Sequence, residues 1–361
     1  MRRRRTLTRL LLLAVVLGGA ASCITCSPGY VLRAGWEEAR ILGRREPIRE
    51  VIANPATSDD VRRKLELVLQ ARDYAERTLK LDAGESFTTY SWVDSDTLLM
   101  VLSAAHADRF VAHTWWFPIV GHVPYKGYFD FERAYREADE LAARGYDTYV
   151  RPSGAFSTLG WFNDPLLNTV LRYGDVALAN TVIHELLHNS IYLAGQAGFN
   201  ESYANFVGDR GAIAFFCTRD GDDSATCRQA RDGWHDNLLY GAFLSDLVQR
   251  LETLYARTGL GRQRMLSEKE RVLEDAKRRF EADVQPRLRT AAFSRFATEP
   301  LNNAVLIGTR LYYQRLDLFE AVYLRYAGDL PAAIEAINAA AEARPGEPFL
   351  AVEGLLGGGT N

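Results

Sequence analysis

Apolar residues between Gly29 and Pro55 recur at helical intervals, and "GYVLRAGWEEARILGRREPIREVIANP" predicts a helix ending near Asn54-Pro55. Thr57 or Ser58 can cap the next helix, where Val61, Leu65, Val68, Leu69 and Arg72 keep helical spacing. The pattern then changes. "FTTYSWV", "TLLMVLSAA" and "WWFPIVGHVPYKGYFD" are β-branched and aromatic runs punctuated by Gly and Pro, which predicts strands. "FERAYREADELAARG" returns to a helical pattern and is stopped by Gly145. "YDTYVRPSGAFSTLGWF" predicts one or two further strands, and from Pro165 onward almost everything reads helical. Leu239, Phe243, Leu247, Leu251 and Leu254 form an apolar stripe, and "SEKERVLEDAKRRFEADV" is a charged helix with Glu274 and Arg278 four apart. Residues 346–361 read as a loose tail.

The order of helices, sheet, helices predicts an α+β fold. A single domain is expected over 23–345, with a sheet-containing part at 85–163 and a helical part at 165–345.

Composition changes this picture little. Apolar residues make up 47% and charged residues 25% of the 361, ordinary for a folded domain. The net charge is −3 and no basic stripe lies beyond the first five residues, so nucleic acid is not an expected partner. The N-terminus matters more. Arg2 to Arg5, an apolar run from Leu10 to Leu17, and small residues from Gly18 to Ser22 have the order of a secretory signal, expected over 1–22. The run is shorter than the roughly 20 residues a bilayer span needs. Ala20-Ala21-Ser22-Cys23 resembles a lipobox, with Ala20 where leucine is usual. Cys23 is therefore expected to carry a lipid anchor to the membrane, on the periplasmic face of the cell envelope. Cys217 and Cys227 bracket the acidic turn "TRDGDDSAT" and are expected to pair as a disulfide after export.

The chemistry concentrates in "HELLHNSIYLAGQAGFNES", His184 to Ser202. On a helix, His184 and His188 project from one face a turn apart and can share one metal ion. Glu185 can reach a water on that ion without being a ligand and serve as its base. Gly195 to Gly198 supply a turn, after which Asn200 can cap a second helix carrying Glu201 in its first turn. Glu201 could then be the third ligand, with Asp209 as a rival. His106, His113, His122 and His235 have no ligand spacing.

Several blocks in order, "RREPIREVIANP", "WWFPIVGHVPYKGYFD", "GAFSTLGWFNDPLLNT", the histidine block and "NNAVLIGTRLYYQRLDLFEA", make the chain resemble the putative aminopeptidase family of bacterial exported proteins, within the zincin metallopeptidases. The resemblance implies a small sheet packed on the metal helix, with an edge strand in "GAFSTLG" running along a peptide substrate. It implies Zn2+ held by His184, His188 and Glu201, Glu185 as base, and Tyr312 as oxyanion donor. Asn303 and Asp164 are candidates for binding substrate, Asp164 through the α-amine. His122 departs from an expected cysteine, and Gly208-Asp209 from a frequent glutamate. A zinc-dependent aminopeptidase is the expectation. The alternatives are an endopeptidase of the same fold and a non-catalytic zinc-containing lipoprotein that binds peptides.

Overall fold

The computed structural model describes residues 40–94, 97–117, 121–153 and 165–357. The expected first helix is interrupted. Pro47 lacks an N–H and disfavours helix before it, so Glu46–Pro47 form a short strand, β1, and helix α1 begins only at Ile48 and ends at Ala53. Helix α2, Asp59–Arg77, is capped by the Ser58 hydroxyl, which accepts from the Val61 N–H, and it buries Leu65, Val68 and Ala71.

The strands fall where the β-branched and aromatic runs are. They are β2 (Thr89–Ser91), β3 (Leu99–His106), β4 (Trp115–Phe117), β5 (Gly121–Val123) and β6 (Tyr125–Tyr128). After helix α3 (Phe131–Ala143) comes β7 (Tyr146–Ser153). The main sheet has the order β6-β3-β7 and is antiparallel, with Val101 opposite both Gly127 and Arg151. Helix α3 covers one face through Ala134, Ala138 and Leu141, which pack with Leu102 and Tyr128. Leu166–Leu167 form β8, which pairs with β2 in a second small sheet with β1, although the stretch after Pro165 reads as helical.

The second half is helical. It comprises α4 (Asp175–Ser190), α5 (Ala197–Asp220), α6 (Ala225–Tyr255), α7 (Arg262–Arg279), α8 (Asn303–Tyr313), α9 (Leu316–Arg325) and α10 (Leu330–Ala343). The principal core joins α2, α4, α5, α9 and α10 through residues such as Leu65, Ile183, Phe206, Phe319 and Ile337. The predicted stripe on α6 is buried at Phe243, Leu247 and Leu251, where it meets Phe280 and Phe296.

Residues 346–361 do not form a loose tail throughout. Pro348–Gly357 are a helix, α11, whose Val352 is fully buried in the principal core. Its apolar face needs cover, and α9 and α10 supply it. No helix of the described residues is long and apolar enough to cross a membrane.

Helix α8 positions the site. It lies between the main sheet and the α5–α6 layer, touching β3 and β7 on one side and α5 on the other. The approach to the sheet is close at Gly308, where an added Cβ would sit 3.4 Å from the Ser103 hydroxyl.

Candidate metal centre

Helices α4 and α5 form an antiparallel hairpin. Gly195, at φ 77°, makes the turn between them. Asn200 is not the cap of α5. The helix starts three residues earlier, at Ala197, and Asn200 lies inside it. Its side-chain amide instead grips the turn, donating to the Leu193 carbonyl at 2.8 Å and accepting from the Leu193 N–H at 3.1 Å. Glu201 therefore stands in the second turn of α5.

Closeness of the two helices is set by glycine. A Cβ at Gly208 would lie 2.8 Å from the Asn180 side-chain oxygen, 3.1 Å from the Asn180 carbonyl and 3.2 Å from the His184 Cβ. At Gly211 it would meet Ile183 at 3.0 Å. The absence of side chains at Gly208 and Gly211 lets the α4 face that carries His184 lie directly against α5.

His184, His188 and Glu201 converge, each offering a donor atom within 4.8 Å of the others. The Nε2 atoms of His184 and His188 lie 3.5 and 3.7 Å from one Glu201 carboxylate oxygen. Those separations are long for direct hydrogen bonds. They suit donors around one tetrahedral ion, since bonds of about 2.1 Å set neighbouring donors about 3.4 Å apart. The side chains are 12%, 5% and 14% exposed, so little water competes for them. Burial alone would raise the Glu201 carboxyl, but the two imidazoles outweigh it and hold the group well below the usual carboxylate range. Burial opposes charge on His188, and the carboxylates of Glu201 and Glu185 overcome it and raise the imidazole.

Asp209 is not part of this cluster. Its carboxylate accepts from the amides of Asn180 and Asn237, both at 2.7 Å, and burial pushes it up to about 7 against those donors and the nearby His184.

Tyr312, at the end of α8, reaches the site. Its ring centroid is 6.4 Å from that of His184. Asn205, one turn beyond Glu201, donates to the Tyr312 carbonyl at 2.9 Å. The phenol is pushed well above its ordinary value, first by the Glu201 carboxylate and then by burial, so it is a neutral donor at neutral pH. Glu185 is half-buried one residue along α4, and its charge is felt by His188, Tyr173 and Tyr312.

Asn303 is elsewhere. It is fully buried at the start of α8, its amide donating to the His106 and Arg109 carbonyls at 2.8 and 3.2 Å while its oxygen accepts from Tyr255. Its side-chain nitrogen thus holds α8 to the β3 end and its oxygen holds it to the end of α6, a structural use of the group expected to bind substrate. Asp164, Cys23, the signal segment and the "GAFSTLG" strand lie outside the described residues. Cys217 and Cys227 are joined by a disulfide linking the end of α5 to the start of α6. With both sulfurs bonded to each other, their proximity to Asp222 offers no thiolate to a metal.

Sequence reasoning missed Arg151, Tyr125 and Tyr192. Arg151 on β7 donates to the Tyr312 hydroxyl at 3.4 Å. Burial, and after it the Glu201 charge, pushes the phenols of Tyr125 and Tyr192 up. Tyr192 stands inside the quoted histidine block and Tyr125 inside the "HVPYKGY" run, but no spacing rule links either to His184.

The model of one protein family, described as "Putative aminopeptidase", matches residues 29–347. The chain belongs to the putative aminopeptidase family. The match takes in the whole α4–α5 hairpin, β7 and α8, and stops before α11. Membership in an aminopeptidase family points to a peptidase. No curated protein and no solved structure matches the chain.

Proposed function

We propose that this protein is a zinc-dependent peptide hydrolase with aminopeptidase activity and a zincin-type site, exported and lipid-anchored at Cys23. One observation carries the catalytic reading. Two imidazoles and a carboxylate from adjacent helices bring their donor atoms within 4.8 Å in a largely dry pocket. The donor set of two nitrogens and one oxygen suits zinc and leaves a fourth position open.

When bound, zinc supplies Lewis acidity, making water a nucleophile at neutral pH and drawing electron density from a peptide carbonyl. Glu185 accepts the proton of the attacking water as the new C–O bond forms, and delivers it to the amine nitrogen as the C–N bond then breaks. Tyr312 donates its hydroxyl proton in a hydrogen bond to the carbonyl oxygen as negative charge grows there.

Elemental analysis of purified protein tests the metal, with one zinc per chain expected and its loss on chelation. Glu185→Gln should retain zinc and lose at least about 100-fold in turnover, the low end for removal of a general base. Full activity in that variant would reject the mechanism. Hydrolysis of free-amine peptides but not N-blocked ones supports aminopeptidase action; cleavage of both supports an endopeptidase. The anchor is tested by fractionation of Cys23→Ser, which should leave the membrane pellet.

A further inference from the structure

We propose that Arg151 is a carboxylate receptor beside the His184, His188 and Glu201 cluster, and that it selects short peptides whose C-terminal carboxylate lies within a residue or two of the scissile bond. The inference names the substrate class of the peptide-hydrolase site and rests on that reading for what is cleaved.

Asp147, Tyr149 and Arg151 alternate onto one face of β7, the face covered by α8. Asp147 is spent on Lys269 at 2.9 Å and the Asn303 N–H at 2.8 Å. Tyr149 packs near Gly308. Arg151 is the residue of the three that reaches the site. Its guanidinium carbon stands 5.9 Å from the Tyr312 ring centroid, and among the described residues its side-chain hydrogen bond is the contact with the Tyr312 hydroxyl.

What Arg151 lacks is an anion. Among the described residues several covered cations have one, while Arg62, which has none, donates instead to the Ile52, Asn54 and Thr57 carbonyls. Lys126 meets Glu137 at 3.0 Å, Lys269 meets Asp147, Arg72 meets Glu76 at 3.1 Å, and Arg210 meets Glu320. Among the described residues no carboxylate lies within ion-pair distance of Arg151. Tyr312 is no substitute, because it offers a phenol hydroxyl and not a carboxylate. Glu201 is close enough to be felt by Arg151 but is engaged by the two imidazoles. A half-buried guanidinium is always charged, and covering it without a counter-charge is unfavourable. The planar fork fits a carboxylate with two parallel hydrogen bonds. A peptide lying between the histidines and β7 would bring such a group there if it ends soon after the scissile bond.

The test is binding, measured by calorimetry on zinc-loaded Glu185→Gln protein so that the ligand is not consumed. The probes are alanylalanine, alanylalanine amide and alanylglutamate amide. Alanylalanine is expected to bind about 10- to 100-fold tighter than its amide, the scale of one charge-assisted pair. Adding Arg151→Gln should bring that ratio to about one while leaving the affinity for the amide unchanged. Arg151→Lys, which keeps the charge and loses the fork, should give an intermediate ratio and carries the test if the glutamine variant melts. A ratio near one with Arg151 present, or an unchanged ratio in folded Arg151→Gln, overturns the proposal. Equal weakening of both dipeptides by Arg151→Gln also overturns it, placing Arg151 on the peptide carbonyl instead. Tighter binding of alanylglutamate amide than of alanylalanine overturns the C-terminal assignment in favour of acidic side chains. Should wild-type protein hydrolyse no peptide while the ratio behaves as expected, the hydrolase reading fails and the receptor stands.

Discussion

Gly208→Ala tests whether the proposed metal centre depends on how closely α4 and α5 approach. An alanine in a helix interior is ordinarily favourable by roughly 0.8–1 kcal/mol over glycine. Here the added methyl would stand 2.8 Å from the Asn180 oxygen and 3.1 Å from the Asn180 backbone carbonyl. The side chain cannot swing away freely, because its amide donates to Asp209 at 2.7 Å. The carbonyl belongs to α4 and moves only with the helix. Overpacking of this kind costs about 1–3 kcal/mol, so the net change is a loss of about 0–2 kcal/mol. The local effect is larger than the global one. The third contact, 3.2 Å away, is the Cβ of His184, and displacing it shifts an imidazole relative to Glu201. Zinc affinity should fall about 10- to 100-fold, the range found when support for a ligand is disturbed. Gly233→Ala is the matched control, since that helical glycine has nothing within 4 Å of an added Cβ and should gain stability. The assays are denaturant melts of chelated protein and zinc titration against a competing chelator. If Gly208→Ala is as stabilising as Gly233→Ala and binds zinc as tightly as wild type, the close approach does not hold the site together.

Tyr312→Phe should lower turnover about 10- to 1000-fold with zinc content and KM nearly unchanged; a variant that melts earlier but turns over normally would make Tyr312 a packing residue. Burial raises Asp209 to about 7 from an ordinary 3.8, so its favourable contribution is complete below pH 3.8 and is lost as pH climbs through 7. Asp209→Asn should therefore flatten the decline in stability between about pH 4 and pH 7 in denaturant melts of chelated protein, and an unchanged slope would show that Asp209 ionises freely. Cys217→Ser with Cys227→Ser opens a link of sequence separation 10 and should cost about 2–3 kcal/mol, checked by melts with and without reductant.

The legible parts of the sequence are those where a period or a cap decides alone. Ser58 caps α2, the β-branched runs form β2 to β6, and the four-residue step from His184 to His188 puts two imidazoles on one face. Less legible were features decided by distant partners. Asn303 reads as a candidate for binding substrate, yet its amide is engaged by carbonyls of His106 and Arg109, almost two hundred positions earlier in the chain. Arg151 carries no motif, and its meaning depends on what does not face it across the pocket. The final helix was hidden because "GEPFLAVEGLLG" is rich in glycine, whereas the burial of Val352 against α9 and α10 outweighs that weak propensity.

A single stripe of α5 explains why the site has the composition it does. Glu201, Asn205, Gly208 and Asp209 follow i, i+4, i+7, i+8 and so face the same way. Glu201 meets the imidazoles, Asn205 fixes the Tyr312 carbonyl, Gly208 admits α4, and Asp209 holds Asn180 on α4. Three members tie α5 to α4 and Asn205 ties it to α8, so a change at any of them is communicated through helix position and not only through its own contact. Substitutions at Asn205 are then expected to act on Tyr312. Asn205→Ala removes one 2.9 Å hydrogen bond, worth about 1 kcal/mol in stability, but frees the end of α8 that carries the phenol. Turnover should fall while zinc binding stays intact, and the loss should not add to that of Tyr312→Phe in the double variant. Full additivity of the two losses would mean that Asn205 acts on the site by some route other than Tyr312.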